Sequence, residues 1–168
     1  MLMICMLPHQ ERSVYDPLSK PGSLIRRLHQ VSVRVFTVKT EAYGLSPVQY
    51  GALQVVSDRP DIDQASLAEA ADVDRTTAVR VIDRLAELGL ITREVCKQDR
   101  RVRRMRITPA GTALIAQMDP AAEASQALLL APLSATERKQ FMAMLRRLVA
   151  SHDQQGHTLH EGSHTAIN

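Results

Sequence analysis

The stretch from Asp74 to Thr108 constrains this chain more than any other. Asp74 opens a short amphipathic segment, Arg75-Thr76-Thr77-Ala78-Val79-Arg80-Val81-Ile82-Asp83-Arg84-Leu85, that runs into Gly89. Strand formers follow, Ile91 and Val95, then Val102 and Ile107, broken by the turn-forming Lys97-Gln98-Asp99-Arg100. A helix must therefore hand over to a hairpin. Arg75 to Arg106 holds ten Lys or Arg against four Asp or Glu, a local net of +6, while all 168 residues carry only +3. So concentrated a field suits a polyphosphate partner, because neutralised phosphates release counterions. The segment reads as a DNA-binding surface.

Composition narrows the partner. With no Trp, two Phe and three Tyr, few rings are available to stack single-stranded bases, which favours duplex DNA. Cys5 and Cys96 are the two cysteines; they suggest a reducing compartment and no disulfide framework. No apolar run approaches the ~20 residues of a membrane span. Met1 to Pro8 is apolar but short, without a basic flank, so no signal peptide is expected. The expected location is cytoplasmic, with no membrane partner.

Residues 1–20 hold no sustained period and are expected to form a flexible arm. Pro21-Gly22-Ser23 opens a helix to about Tyr43, with Leu24, Leu28, Val31 and Val35 on one stripe, and Gly44 ends it. Ser46-Pro47-Val48-Gln49 is a capping box with proline at the first helical position. Its helix carries Tyr50, Leu53 and Val56 inward to about Ser57. Asp63 caps a third helix, Gln64 to Ala71. Asp72-Val73-Asp74 turns into the fourth, whose buried stripe is Ala78, Val81, Ile82 and Leu85. Two short helices joined tightly, the second exposing Arg and Thr at its start, form a helix-turn-helix pattern.

Thr108-Pro109 restarts a helix to about Leu130 despite Pro120, and Ser134-Ala135-Thr136-Glu137 caps a last one bearing Phe141, Met144, Leu145 and Leu148. Wide apolar faces on the first and last helices need something to cover them. A two-fold homodimer does so and presents two recognition helices to successive major grooves. The expected fold class is mainly α with a small β-hairpin wing. Residues 21–45 and 109–151 form a helical dimerisation region, 46–108 the DNA-binding domain, and 152–168 a disordered tail.

No nucleophile elbow, phosphate-cradling glycine loop or metal-ligand set is visible, so neither enzyme activity nor a cofactor is expected. His152, His157, His160 and His164 fit no compact ligand spacing.

Residues from about 22 to 150 resemble the MarR (multiple antibiotic resistance regulator) family of winged helix-turn-helix repressors. Three stretches carry the likeness. They are Ser46-Pro47-Val48-Gln49-Tyr50-Gly51-Ala52-Leu53, the Asp74–Leu90 segment ending Leu85-Ala86-Glu87-Leu88-Gly89-Leu90, and Asp99-Arg100-Arg101 followed by Ile107-Thr108-Pro109-Ala110-Gly111.

On the recognition helix, Arg75, Thr76, Thr77 and Arg80 are candidate DNA contacts: arginine can pair bidentately with guanine, and threonine can reach a phosphate or a thymine methyl. Val79 can contact a base methyl. The resemblance places Arg101 in the minor groove, with Asp99 holding the wing arginines by ion pairing. Lys97, Arg100 and Arg103, with Arg93, Arg104 and Arg106, are expected phosphate contacts, although strand alternation lets only some of them face DNA.

The family usually holds a small, often aromatic and anionic effector between its dimerisation helices and its DNA-binding lobe. Arg26, Arg27, His29 and Tyr50 are the matching candidates here. The run Pro21 to Gln30 is similar to the branch that controls degradation of nicotinate-type and other aromatic acids. The resemblance thus implies a dimeric repressor released by a small aromatic carboxylic acid. Two alternatives stand beside it. One is a thiol-based redox-responsive regulator; redox-sensing relatives place their thiol near the start of the first helix, where this chain has none, and Cys96 lies in the wing. The other is a non-specific architectural DNA-binding protein.

Overall fold

The computed structural model describes residues 16–95 and 103–161. Its order is α1 (Pro21–Thr40), α2 (Pro47–Asp58), β1 (Ile62–Asp63), α3 (Gln64–Ala70), α4 (Arg75–Glu87), β2 (Ile91–Val95), β3 (Arg103–Ile107), α5 (Pro109–Leu129) and α6 (Ala135–Glu161). It is a mainly helical winged helix-turn-helix with a small antiparallel sheet.

Side chains set the helix starts. Gln49 donates its amide to Ser46 Oγ at 3.3 Å, and Ser46 donates its own to Gln49 Oε1 at 2.9 Å, closing the capping box of α2. Asp63 and Asp74 each accept a backbone amide at 2.9 Å, from Ser66 and Thr77, and so start α3 and α4. Thr108 caps α5, and Ser134 with Glu137 closes a second box on α6.

The core gathers where these helices meet the sheet. Leu53 and Val56 of α2, Leu67 of α3, Leu85 of α4, Met105 of β3 and Met118 of α5 are completely enclosed. The expected stripe of α4 (Ala78, Val81, Ile82, Leu85) is buried as a set. Gly111 marks a close crossing: a Cβ there would lie 2.3 Å from the Leu90 carbonyl oxygen. Only glycine lets α5 leave the wing so near the end of α4.

Three features depart from the sequence expectations. The hairpin of β2 and β3 gains a third strand, in the order β1-β3-β2, with Ile62 opposite Met105 and Asp63 opposite Arg104. Two residues are too few to produce a period, and β3 alone gives them a partner. Within the expected N-terminal arm, Pro17–Ser19 form a 3-10 turn that Asp16 caps through the Leu18 amide at 2.9 Å. The expected disordered tail is helical as far as Glu161. A polar composition lacks an apolar stripe, but no proline interrupts it, and a helix already nucleated extends at low cost. Residues 162–168, including His164, lie outside the described residues, as do residues 1–15 with Cys5.

The helices that bracket the DNA-binding lobe differ in how well they are covered. α1 packs on α5, yet its first half leaves Leu24, Ile25, Leu28 and Val31 exposed. α6 has no buried side chain among its described residues, and Met144, Leu148 and Val149 stand at least half exposed.

Candidate nucleic-acid interface

The cap of α4 organises the recognition surface. Asp74 accepts the Thr77 amide at 2.9 Å and the Thr77 hydroxyl at 2.6 Å. These bonds, the hydroxyl's first, hold the Asp74 carboxyl below the usual carboxylate range. The sequence offers Thr77 as a DNA contact. Its one donor proton is instead committed to the cap, which leaves that hydroxyl only acceptor capacity.

Arg75, Thr76, Val79 and Arg80 remain exposed along one side of α4, opposite its buried stripe. Arg80 and Arg84 also line a groove of about 480 Å³ with Ser46, Val48, Gln49, Thr77 and Val81. The groove lies between α4 and the amino end of α2, where a helix concentrates partial positive charge; Arg84 also pairs with Glu87 at 3.4 Å. The groove can accept an anionic group beside α4.

The wing strands carry a different kind of arginine. Strand pairing puts Glu94 opposite Arg104, Thr92 opposite Arg106 and Val95 opposite Arg103. Arg93 donates to Asp83 of α4 at 2.6 Å, tying β2 to the recognition helix. Arg106 donates from Nε and Nη2 to the two carboxylate oxygens of Asp61 at 2.6 and 2.9 Å. Arg104 donates to the Asp61 carbonyl at 3.2 Å. Three expected phosphate contacts therefore make bonds within the chain, because acids from α4 and the α2–β1 corner lie beside them. Arg103 is exposed at the start of β3. Lys97, Asp99, Arg100, Arg101 and Cys96 lie outside the described residues.

The effector candidates divide too. Arg26, Arg27 and His29 are exposed on α1, and no hydrogen bond among the described residues ties them to Tyr50. Tyr50 is buried, its ring 5.6 Å from that of Phe36. Its hydroxyl donates to Asp119 of α5 and accepts from Gln54 at 3.0 Å. Burial, and then the bond to Asp119, push its pKa far above the ordinary tyrosine value, with Glu123 adding repulsion. Tyr50 thus links α2 to α5 as a neutral phenol. Sequence reasoning missed Asp119 and Glu123, which lie about 70 residues away; Gln54, one turn further along α2, was within its reach.

No group of three metal-ligating side chains occurs among the described residues. No described helix is long and apolar enough to cross a membrane.

Comparison with known proteins gives this geometry a context. Residues 43–102 match the family model described as MarR family. A Thauera aromatica protein named as a putative transcriptional regulatory protein for the hcr operon is 38% identical over 128 residues, 76% of this chain and 77% of that one. Among solved structures, the chain is similar to Bordetella bronchiseptica BpsR, whose structure concerns regulation of DNA binding by 6-hydroxynicotinic acid. The TM-score is 0.76 with 27% identity, over 81% of this chain and 97% of that one. It is also similar to the PcaV transcriptional regulator of Streptomyces coelicolor in complex with its natural ligand. That match has a TM-score of 0.76 and 28% identity, over 83% and 99% of the two chains.

Proposed function

Because this chain belongs to the MarR family of transcriptional regulators, which bind DNA and are not enzymes, we propose that it is a homodimeric, operator-specific repressor. A small aromatic carboxylic acid releases it from DNA. The observation that carries this reading is the exposed row Arg75, Thr76, Val79 and Arg80 on a helix whose opposite face is fully buried. Arg80 is the candidate base reader, with Val79 against a thymine methyl and Arg75 and Thr76 on phosphates. Arg101 enters the minor groove and Asp99 steadies it, while Lys97, Arg100 and Arg103 hold the flanking backbone. The cytoplasm, where such DNA lies, is the proposed location.

Dimerisation is supported by the uncovered faces of α1 and α6. A two-fold axis through these helices would set the two copies of α4 about 34 Å apart, one turn of DNA.

The effector reading places an aromatic acid between α1, α2 and α5. BpsR and PcaV, similar over four-fifths of this chain, have structures that concern a hydroxynicotinic acid and a natural ligand respectively. In this chain the Tyr50 hydroxyl already serves Asp119, so Tyr50 offers its ring rather than its proton. The carboxylate end of the acid belongs on Arg26, Arg27 or His29, away from Asp119 and Glu123, since like charges in one site repel. Bound acid would favour a dimer whose recognition helices are wrongly spaced. A difference of 1–3 kcal/mol in affinity between the two states, roughly, shifts binding 5- to 150-fold.

The test is a titration of the protein on the duplex upstream of its own gene, with and without nicotinate, hydroxynicotinates and other aromatic acids. One acid abolishing binding by a dimer, with Arg26→Ala or Arg27→Ala blunting its effect, is the expected result. Binding indifferent to every acid would remove the effector half of the proposal.

A further inference from the structure

Asp61 stands at the corner between α2 and β1 with a φ of +66°. Glycine adopts this left-handed conformation freely, and among residues bearing a Cβ it is mainly Asn and Asp that visit it; Asp72 does so too, with a φ of +51°. What sets Asp61 apart is where its polar groups go.

All its polar groups are directed to β3. The amide donates to the Met105 carbonyl at 3.1 Å, and the carbonyl accepts from Arg104 at 3.2 Å. The carboxylate takes both arms of the Arg106 guanidinium, at 2.6 and 2.9 Å. Asp63 and Glu94 both lie opposite Arg104 in the strand register, so acids and arginines alternate at the base of the wing. This part of the wing is close to charge-balanced, unlike the exposed start of α4. β3 begins at Arg103, two residues after Arg101 in the sequence, so the direction of β3 sets where the chain enters the sheet.

We infer that Asp61 is a positioning residue for DNA binding. Its carboxylate removes Arg106 from the phosphate-binding set and fixes β3, and with it the wing, against the α2–β1 corner. The inference rests on the reading of residues 75–106 as the DNA interface. Exposed ion pairs contribute little to global stability, but a bidentate arginine–carboxylate pair fixes direction as well as distance. The effect belongs in binding, not in melting.

The experiment measures affinity for the upstream duplex across a salt series. It compares the full-length protein with Asp61→Asn, Asp61→Gly, Arg106→Gln, Arg106→Lys and the Asp61→Asn/Arg106→Gln double variant. Each single variant is expected to bind about fivefold more weakly, the scale of one well-oriented ion pair. The salt slope should stay native, and the double variant should lose no more than either single. Asp61→Gly relieves the backbone, so its melting curve should match or exceed the native one while its binding falls. Arg106→Lys should do no better than Arg106→Gln, since an ammonium cannot make the forked pair.

Tighter binding by Asp61→Asn would overturn the inference, since it would mean that Arg106 had been released onto DNA. So would native affinity in Asp61→Gly, or a salt slope reduced by about 0.9 in Arg106→Gln, the signature of one phosphate left without its cation. Native protein failing to bind any duplex would contradict the interface reading itself, and this one with it.

Discussion

Arg75 and Arg80 of α4 and Arg93 and Arg106 of the wing strands look alike in the sequence and do different things in the structure; Arg84, further along α4, pairs with Glu87. Arg75 and Arg80 stand exposed on the recognition helix, and no carboxylate among the described residues forms an ion pair with either. Arg93 and Arg106 are each drawn to a carboxylate, Asp83 and Asp61. Local charge therefore overstates the number of phosphates this surface can neutralise. Part of the positive charge builds the platform that aims the rest.

The largest effect should come from the open group. Arg80→Ala is expected to cost about 1–3 kcal/mol per half-site and to relax base preference there. The proposed dimer would present the residue twice, so the full operator would lose about twice that. Titration against operators altered at single positions checks this; unchanged discrimination would make Arg80 a phosphate contact.

Arg75→Ala should weaken all duplexes alike and reduce the salt slope by about 0.9 for each phosphate no longer neutralised. Arg93→Gln should leave the slope native: only a few-fold loss is expected, and Asp83→Asn should match it. A slope that falls in Arg93→Gln would erase the division between the two groups.

A smaller effect separates the two threonines. Thr77→Val removes a bond to the Asp74 cap and is expected to lower stability by about 0.5–1 kcal/mol. Thr76→Val should leave denaturant unfolding unchanged and weaken only DNA binding.

The acid side of the pH profile follows from Asp61, Asp63, Asp74 and Glu137, whose carboxyls are all held below their usual values. The main causes are the Arg106 bond for Asp61, the Ser66 backbone amide for Asp63, and the Thr77 and Ser134 hydroxyls for Asp74 and Glu137. Their stabilisation is fully present above the unfolded carboxylate pKa of about 4 and is lost as pH falls through the lower folded values. Melting temperature should therefore be insensitive to these groups from about pH 8 to about 5 and drop below about 4. Asp63→Asn should shallow that drop, and Asp61→Asn should change it little, since its exposed ion pair contributes little to stability.

What the sequence makes legible is local. Ser46 with Gln49, Asp63, Asp74 and Ser134 with Glu137 announce helix starts because cap and amide lie three residues apart. The stripe of α4 is equally plain, since its four apolar residues share one face. Asp61 with Arg106, and Tyr50 with Asp119, are separated by 45 and 69 residues. No periodicity or cap reports such pairs; they exist only once β3 meets β1 and α5 crosses α2. β1 is hidden for the same reason. The helix beyond Ser151 escapes because an absent apolar stripe marks what a segment does not bury, not whether it is helical. Within the candidate site, the pattern of α4 puts Arg75, Thr76 and Arg80 on its open side, where the structure has them. The bond of Thr77 to Asp74 follows from the same cap spacing, whereas the ion pairs of Arg93 and Arg106 are hidden because Asp83 and Asp61 come from a helix and a corner distant in the sequence.

The most direct test of the central claim is the affinity of the native protein for the duplex upstream of its gene, set against random duplex of equal length at physiological salt. An operator-reading α4 predicts a preference of at least about 10³-fold, the range of specific regulators. Equal affinity for both duplexes would contradict it and leave a surface that binds DNA by charge alone.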